Sequence, residues 1–149
     1  ILISYLVDKQ LLDTDWLKIY QSKEDVTFVA SCHHPICKIK HPTIQDILSY
    51  PIILTEKDAS YRRLLEEKLH ENHLEIKPLY QSKNTDLLLE LLKLDQYISF
   101  LPKYILEDAL KNKTIIQINI PDYKIDVYRQ LFVIKDKWLS HEMKAFFQL

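Results

Sequence analysis

The residues best equipped for chemistry are few. Cys32-His33-His34-Pro35-Ile36-Cys37 places four metal-capable side chains within six residues. Thiolate and imidazole are zinc ligands, but this spacing is not one that zinc sites use, and Pro35 stiffens the loop between them. No metal and no cofactor is assigned. A redox role for Cys32 or Cys37 needs a lowered thiol pKa, which sequence does not reveal. His33, His34 and Asp58 are the candidates for acid–base work, and no pair of them has a recognisable catalytic spacing. The chain reads as a non-enzyme.

Ser60 stands between a strand-like run, Pro51–Thr55, and a helix-like run, Tyr61–His70. There its hydroxyl, with nearby backbone N–H groups, can meet a carboxylate or hydroxyl of a small ligand. The plainer use of the same serine is an N-cap. Arg62, two residues on, can pair with an anionic ligand, although an arginine in a first helical turn is usually solvated or bonded to a neighbour. Ser99 and Phe100 close another strand ahead of Pro102, with Phe100 reading as core. Ser4 and Tyr5 follow the first strand, where α/β sheets place ligands.

The elements that must hold these residues alternate. Ile1–Leu6, Trp16–Tyr20, Val26–Ser31, Pro51–Thr55, Leu74–Tyr80, Tyr97–Leu101, Thr114–Ile120 and Val127–Ile134 read as strands. Between them lie a short helix after the cap Thr43 and a helix over 60–70 with Tyr61, Leu64, Leu65 and Leu69 on one stripe. A Leu-rich helix follows the cap Asn84, with Asp86 complementing its dipole, and another helix runs over 104–110. Ser140 caps a last helix through Phe147. Arg62-Arg63 with Glu66-Glu67-Lys68 reads as a solvated helix face with i,i+4 pairs. The alternation predicts an α/β fold with a largely parallel sheet.

The chain of 149 residues has a net charge of −1, 47% hydrophobic and 28% charged residues, and no glycine. The balance suits a soluble core and gives no bulk attraction for nucleic acid. Without glycine neither a phosphate-cradling P-loop nor a dinucleotide fingerprint can form. Tight turns must use Asn, Asp and Pro, as in Lys111-Asn112-Lys113 and Pro121-Asp122. No apolar run approaches the ~20 residues of a membrane helix, and two cysteines make no disulfide framework; reduced thiols in a cytoplasm are the simplest reading. The chain starts Ile1-Leu2-Ile3 without an initiator methionine and reads as a segment of something longer. Its first strand, Ile1–Leu6, would then expose an unpaired edge, so this length is expected either to recruit another chain or to be one ordered part of a longer protein.

Several segments, in order, resemble the effector-binding domain of LysR-type transcriptional regulators. Ile1-Leu2-Ile3 is similar to the family's first strand of this part, and Asp25–Ser31 followed by His34-Pro35 to its crossing segment. Pro51–Leu54 with Ser60-Tyr61-Arg62 is similar to its segment that leads from a Pro-led strand to a serine at a helix start. Asn84-Thr85 with the Leu-rich helix, Ile98–Pro102, and Leu131–Ile134 with Lys135 complete the set. The resemblance implies a two-lobed, periplasmic-binding-protein type II-like fold, the second lobe complete and the first partial. Residues 1–33 would be part of lobe one with the crossing strand, 34–122 lobe two, and 123–149 the return strand and last helix of lobe one. It implies a small, anionic or polar effector bound between the lobes at Ser60, Ser4, Tyr5, Ser99, Phe100 and Arg62. It further implies a cytoplasmic homodimer or tetramer that meets DNA only through an N-terminal domain outside this chain, and no membrane. An extracytoplasmic solute-binding protein of the same fold is the alternative, separated by whether a winged helix or a signal peptide precedes Ile1; an enzyme ranks below both. Two departures stand out. Where the family has glycine, this chain has Asp95-Gln96-Tyr97 and Asp58-Ala59. Bulkier residues there narrow a pocket, so no effector is carried over from relatives.

Overall fold

The computed structural model describes residues 2–6, 16–134 and 145, and side chains from Lys18 to Val133 and at Ala145. The last helix expected from Ser140 lies outside the described residues. The chain divides into two compact units, 1–24 with 126–149, and Asp25–Ile125.

In the first unit β1 (Leu2–Leu6) pairs antiparallel with β7 (Ile125–Ile134), Ser4 opposite Gln130 and Tyr5 opposite Arg129. β7 is in turn hydrogen-bonded to β2 (Trp16–Ser31). The two strands expected at 16–20 and 26–31 are therefore one. Gln21–Asp25 between them is polar but holds no Gly, Pro or Asn to turn the chain. Buried Gln130 is satisfied by Gln21, Nε2 donating to Oε1 at 2.8 Å.

The second unit carries most of the described core. Its further elements are α1 (Ile44–Leu48), β3 (Ile53–Leu54), α2 (Ser60–Glu71), β4 (Tyr80–Gln81), α3 (Thr85–Leu92), β5 (Ile98–Pro102), α4 (Glu107–Lys111) and β6 (Ile115–Ile118). β3 and β4 are parallel, and Ile52 bridges in parallel to Ile98 at the start of β5. β2 pairs antiparallel with β5 on one side and with β6 on the other, Phe28 facing Phe100 and Ile118. β3, β4, β5 and β6 thus share one direction, as strand–helix–strand crossovers require. The sheet is nevertheless mixed rather than largely parallel, because β2 inserts against the grain between β5 and β6.

Val26, Phe28, Val29 and Ala30 are buried on both faces of β2, and all of β5 is buried. Val29, Ile53, Leu88, Leu92, Leu101, Leu106 and Ile115 form one apolar cluster beneath α3 and α4. Each such side chain contributes about 2 kcal/mol on burial. The Phe28 and Phe100 rings meet at 4.9 Å between centroids, tilted by 59°.

Local chemistry explains most boundaries. Thr43 and Asp46 form a reciprocal capping box on α1: Thr43 N–H donates to Asp46 Oδ2 at 2.7 Å and Asp46 N–H to Thr43 Oγ1 at 3.3 Å. The Thr43 backbone bond holds the Asp46 carboxyl below its ordinary pKa. Asn84 caps α3, its Oδ1 accepting from Leu87 N–H at 3.2 Å. The strand expected over 74–80 is reduced to Tyr80–Gln81, since Pro78 has no N–H to give a ladder. The helix expected over 104–110 begins as a 3-10 turn, Lys103–Leu106, before α4. No helix among the described residues is long and apolar enough to cross a membrane.

Candidate functional site

The carboxyl ends of β3, β4 and β5 share one edge of the second unit's sheet. α2 starts from it after the loop Thr55–Ala59, and α3 after Ser82–Asn84. Hydrogen bonds extend the β3–β4 pair at both ends, Leu79 N–H donating to Ile52 O at 2.7 Å before it and Ser82 N–H to Leu54 O at 3.1 Å where the loop to α3 begins. Two helix N-termini therefore open on the edge where doubly wound sheets take ligands. They differ in finish. α3 is closed by Asn84. α2 has Ala59 as its N-cap and makes no side-chain cap bond. Ser60 is the first residue inside the helix and half-buried, so its reading as an N-cap is corrected. In this first turn Arg62 N–H and Arg63 N–H donate to Ala59 O at 3.1 and 3.2 Å, while the amides of Ser60 and Tyr61 precede the first carbonyl the helix can offer.

The charges around this edge are largely committed. Lys83 is held by Asp58 at 3.1 Å and Glu56 at 3.6 Å, and the Asp58 bond raises its pKa. Tyr61 is buried, and desolvation pushes its phenol pKa up.

Arg62 departs from expectation. It is 1% exposed rather than part of a solvated helix face. Nε donates to Glu66 Oε1 at 3.0 Å, and Nη1 donates to Gln81 Oε1 at 2.9 Å and to the Thr55 carbonyl. Nη2 is buried with no partner among the described residues. One guanidinium thus clamps α2, the end of β3 and the end of β4 together. The neighbouring pair Arg63–Glu67, at 3.7 Å, is the solvated i,i+4 pair the sequence predicts. A surface pocket of about 630 Å3 opens on this flank of α2, with Lys57, His70, Ile76, Pro78 and Tyr80 in its wall. Ser60 does not line it.

Ser99 and Phe100 lie fully buried in β5, opposite Val29 and Phe28. The Ser99 hydroxyl has no hydrogen-bond partner among the described residues, and Phe100 is core, packed on Phe28. Ser4 and Tyr5 are placed in β1 of the first unit; their side chains lie outside the described residues. Ser60 and Arg62 share the first turn of α2. Among the described site residues, Ser60 alone is the first residue of a helix at this edge.

The Cys32–Cys37 stretch is a turn, and no three His, Cys, Asp or Glu side chains gather as a metal site among the described residues. His34 is buried and caps the 3-10 turn Pro35–Lys38, Nδ1 accepting from Ile36 N–H at 3.1 Å. Its ring packs edge-on against Tyr50 at 4.8 Å, and desolvation lowers its pKa. Asp95, one of the residues standing where glycine was expected, adopts φ 62°. Its carboxylate accepts a hydrogen bond from Ser31 Oγ, a tie across the unit that glycine could not make. Sequence reasoning missed this tie and the Arg62 clamp, because both join residues distant in the chain.

A mixed sheet flanked by helices, with helix N-termini gathered at its carboxyl edge, is the build of effector-binding domains with the periplasmic-binding-protein type II-like fold. Residues 8–149 match the LysR substrate binding domain family, and the chain belongs to it. It is 28% identical over 131 residues to the uncharacterized HTH-type transcriptional regulator YwqM of Bacillus subtilis strain 168, covering 85% of this chain and 43% of that protein. Among solved structures it is similar in fold to full-length HypT of Salmonella typhimurium, a hypochlorite-specific LysR-type transcriptional regulator. That match has a TM-score of 0.74 at 16% identity and covers 98% of this chain and 48% of that one. The regulatory domain of Synechocystis PCC6803 CcmR in complex with 2-PG matches with a TM-score of 0.71 at 14% identity, over 97% and 69% of the two chains. The chain spans about half the length of the full-length regulators it matches.

Proposed function

We propose that this chain is the ligand-sensing part of a bacterial LysR-type regulator, and that its effector is a small anionic or polar molecule bound at the carboxyl edge of the Asp25–Ile125 unit. The observation that carries this is the start of α2. It is a 12-residue helix without a side-chain cap, with the Ser60 hydroxyl beside it, at the edge where the parallel strands end. Such a terminus offers backbone donors and a positive dipole end to a carboxylate or phosphate. The complex of CcmR with 2-PG supports a small-molecule effector for a domain of this fold. In this reading Arg62 braces the loop and does not touch the effector, Phe100 is core, and Ser99, Ser4 and Tyr5 are secondary candidates. The partners are a second copy of the chain, as homodimer or tetramer, and DNA through a domain outside these residues. The setting is the cytoplasm.

The test is a thermal-shift screen of the full-length protein against small carboxylates, hydroxy acids and phosphates, 2-PG among them. A ligand about 100-fold above its Kd adds about 2.7 kcal/mol of stability, a shift of several degrees. Ser60→Leu is expected to abolish that shift while leaving the far-UV circular dichroism unchanged. A Ser60→Leu protein with an unaltered titration would remove Ser60 from the site. A screen in which no anion moves the wild type would remove the anionic class.

A further inference from the structure

The turn that follows β2 holds two thiols that the effector reading does not use. Cys32 is half-buried, Cys37 is exposed, and both are free. Their backbones are fixed. Cys32 N–H donates to Thr114 O at 3.1 Å, His34 N–H to Ser31 O at 3.1 Å, and Cys37 N–H to His34 O at 3.0 Å. Pro35 stiffens the bend, and His34 caps it. The result is that Cys37 Sγ folds back onto the start of its own turn, donating to Ser31 O at 3.4 Å. The peptide bond from Ser31 leads directly to Cys32, so the Cys37 sulfur lies within about 6 Å of the Cys32 Cα by covalent geometry alone. The turn that folds Cys37 Sγ back on Ser31 O therefore holds the two cysteines close to one another, as an intramolecular disulfide requires.

We infer that Cys32 and Cys37 are a dithiol that a low-molecular-weight disulfide oxidises to an intramolecular disulfide, making this turn a redox-sensitive modification site. The exposed Cys37 thiolate attacks the small disulfide, forming a mixed disulfide and releasing one small thiolate. The Cys32 thiolate then attacks the Cys37 sulfur, forming the internal bond and releasing the second. Two protein thiols are oxidised, one small disulfide is reduced to two thiols, and the two thiol protons pass to solvent or to the leaving thiolates.

Two features shape the reaction. Desolvation of the sulfur, folded back on its own turn in an otherwise exposed residue, pushes the Cys37 thiol pKa up, with the nearby Cys32 thiol adding to it. The turn therefore lacks the lowered thiol pKa of a fast redox centre, and its oxidation is slow at neutral pH, quickening as pH rises. Ser31 is also a junction. Its carbonyl accepts from Cys37, and its hydroxyl donates to Asp95 and accepts from His33 N–H at 3.1 Å. Oxidation withdraws Cys37 from this junction, which ties the end of β2 to the turn before β5.

The sequence makes the test clean. Trypsin cutting after Lys23 and Lys38 releases Glu24–Lys38, a single peptide holding both cysteines. The full-length protein is incubated with oxidised glutathione at pH 7 and pH 8.5, alkylated, digested and weighed. The expected product is Glu24–Lys38 two hydrogens lighter and inaccessible to alkylation, formed faster at the higher pH and reversed by dithiothreitol. Cys32→Ser is expected to stop at a glutathione adduct on Cys37. A wild-type peptide carrying two glutathiones, one linked to a different peptide, or one still fully reduced under excess oxidant overturns the inference. The wild-type measurement stands without the variant.

Discussion

Arg62 concentrates the structural meaning of the candidate site in one side chain. Arginine is seldom fully buried, and when it is, its donors must be met. Here three acceptors from three parts of the unit meet Nε and Nη1, namely Glu66 on α2, the Thr55 carbonyl after β3 and Gln81 in β4, while Nη2 is buried with no partner among the described residues. Arg62→Met keeps much of the volume but strands these acceptors, and is expected to cost about 3 kcal/mol, near the lower end for breaking a buried ion pair because Glu66 stays partly solvated. Arg62→Lys is expected to recover little, since one ammonium cannot span the fork a guanidinium fills. Urea unfolding followed by circular dichroism measures both. A midpoint for Arg62→Met equal to the wild type's would show that the clamp holds nothing. The sequence makes Arg62 visible as a charge near a helix start, and its i,i+4 partner Glu66 is legible from spacing. Its burial is not, because that depends on Gln81, nineteen residues away, arriving beside it. Ser60 is the converse case. Its place between strand and helix is legible at once, whereas its position inside α2 rather than at the cap depends on one residue of phase.

At the scale of elements, the absence of glycine leaves a trace at helix ends. α2 and α4 both close with a Schellman arrangement. Leu74 N–H donates to Leu69 O at 2.9 Å and His73 N–H to His70 O at 2.9 Å. Thr114 N–H donates to Ala109 O at 3.0 Å and Lys113 N–H to Leu110 O at 3.1 Å. The pivots are His73 and Lys113, both at φ 57°, a region that costs a side-chain-bearing residue about 1–2 kcal/mol. His73→Gly and Lys113→Gly should each stabilise the protein by about 0.5–1 kcal/mol, the relief being partly offset by the greater freedom of glycine when unfolded. Asp95→Gly, at φ 62°, should show no such gain, because it also loses the bond from Ser31. Melting temperatures of the three variants decide this, and a fall for both His73→Gly and Lys113→Gly would contradict it. The need for glycine-free turns, and Lys111-Asn112-Lys113 as one of them, can be read from composition. The caps Thr43 and Asn84 are also legible, since capping is local. Strand lengths are not. The single strand β2 and the truncation at Pro78 are fixed by which neighbours supply hydrogen bonds, and neighbours come from the whole unit.

For the molecule as a whole, the ordered set of strand and helix segments was enough to point to the family and its α/β fold. The insertion of β2 antiparallel between β5 and β6 was not readable, because strand–helix alternation reports crossovers and not what slides between them. That insertion has a consequence for how the Asp25–Ile125 unit opens. Val26–Ala30 is paired on one side along its whole length with β5, and from Phe28 onward with β6 on the other. Val26, Phe28, Val29 and Ala30 are at most 1% exposed. Local fraying cannot free these amides; both ladders must part and the core beneath them must open. The segment Leu74–Leu79 is the opposite case, irregular in structure and ending in Leu79, 69% exposed. Native-state hydrogen exchange followed by mass spectrometry should therefore find Val26–Ala30 among the slowest peptides, its opening free energy approaching that of global unfolding of the unit. Leu74–Pro78 should exchange orders of magnitude sooner. The slow class should lose its protection together with β5 as denaturant is added, since the two strands share one ladder. If Val26–Ala30 exchanged as quickly as Leu74–Pro78, or if β5 opened well before it, the central place given to β2 would be wrong.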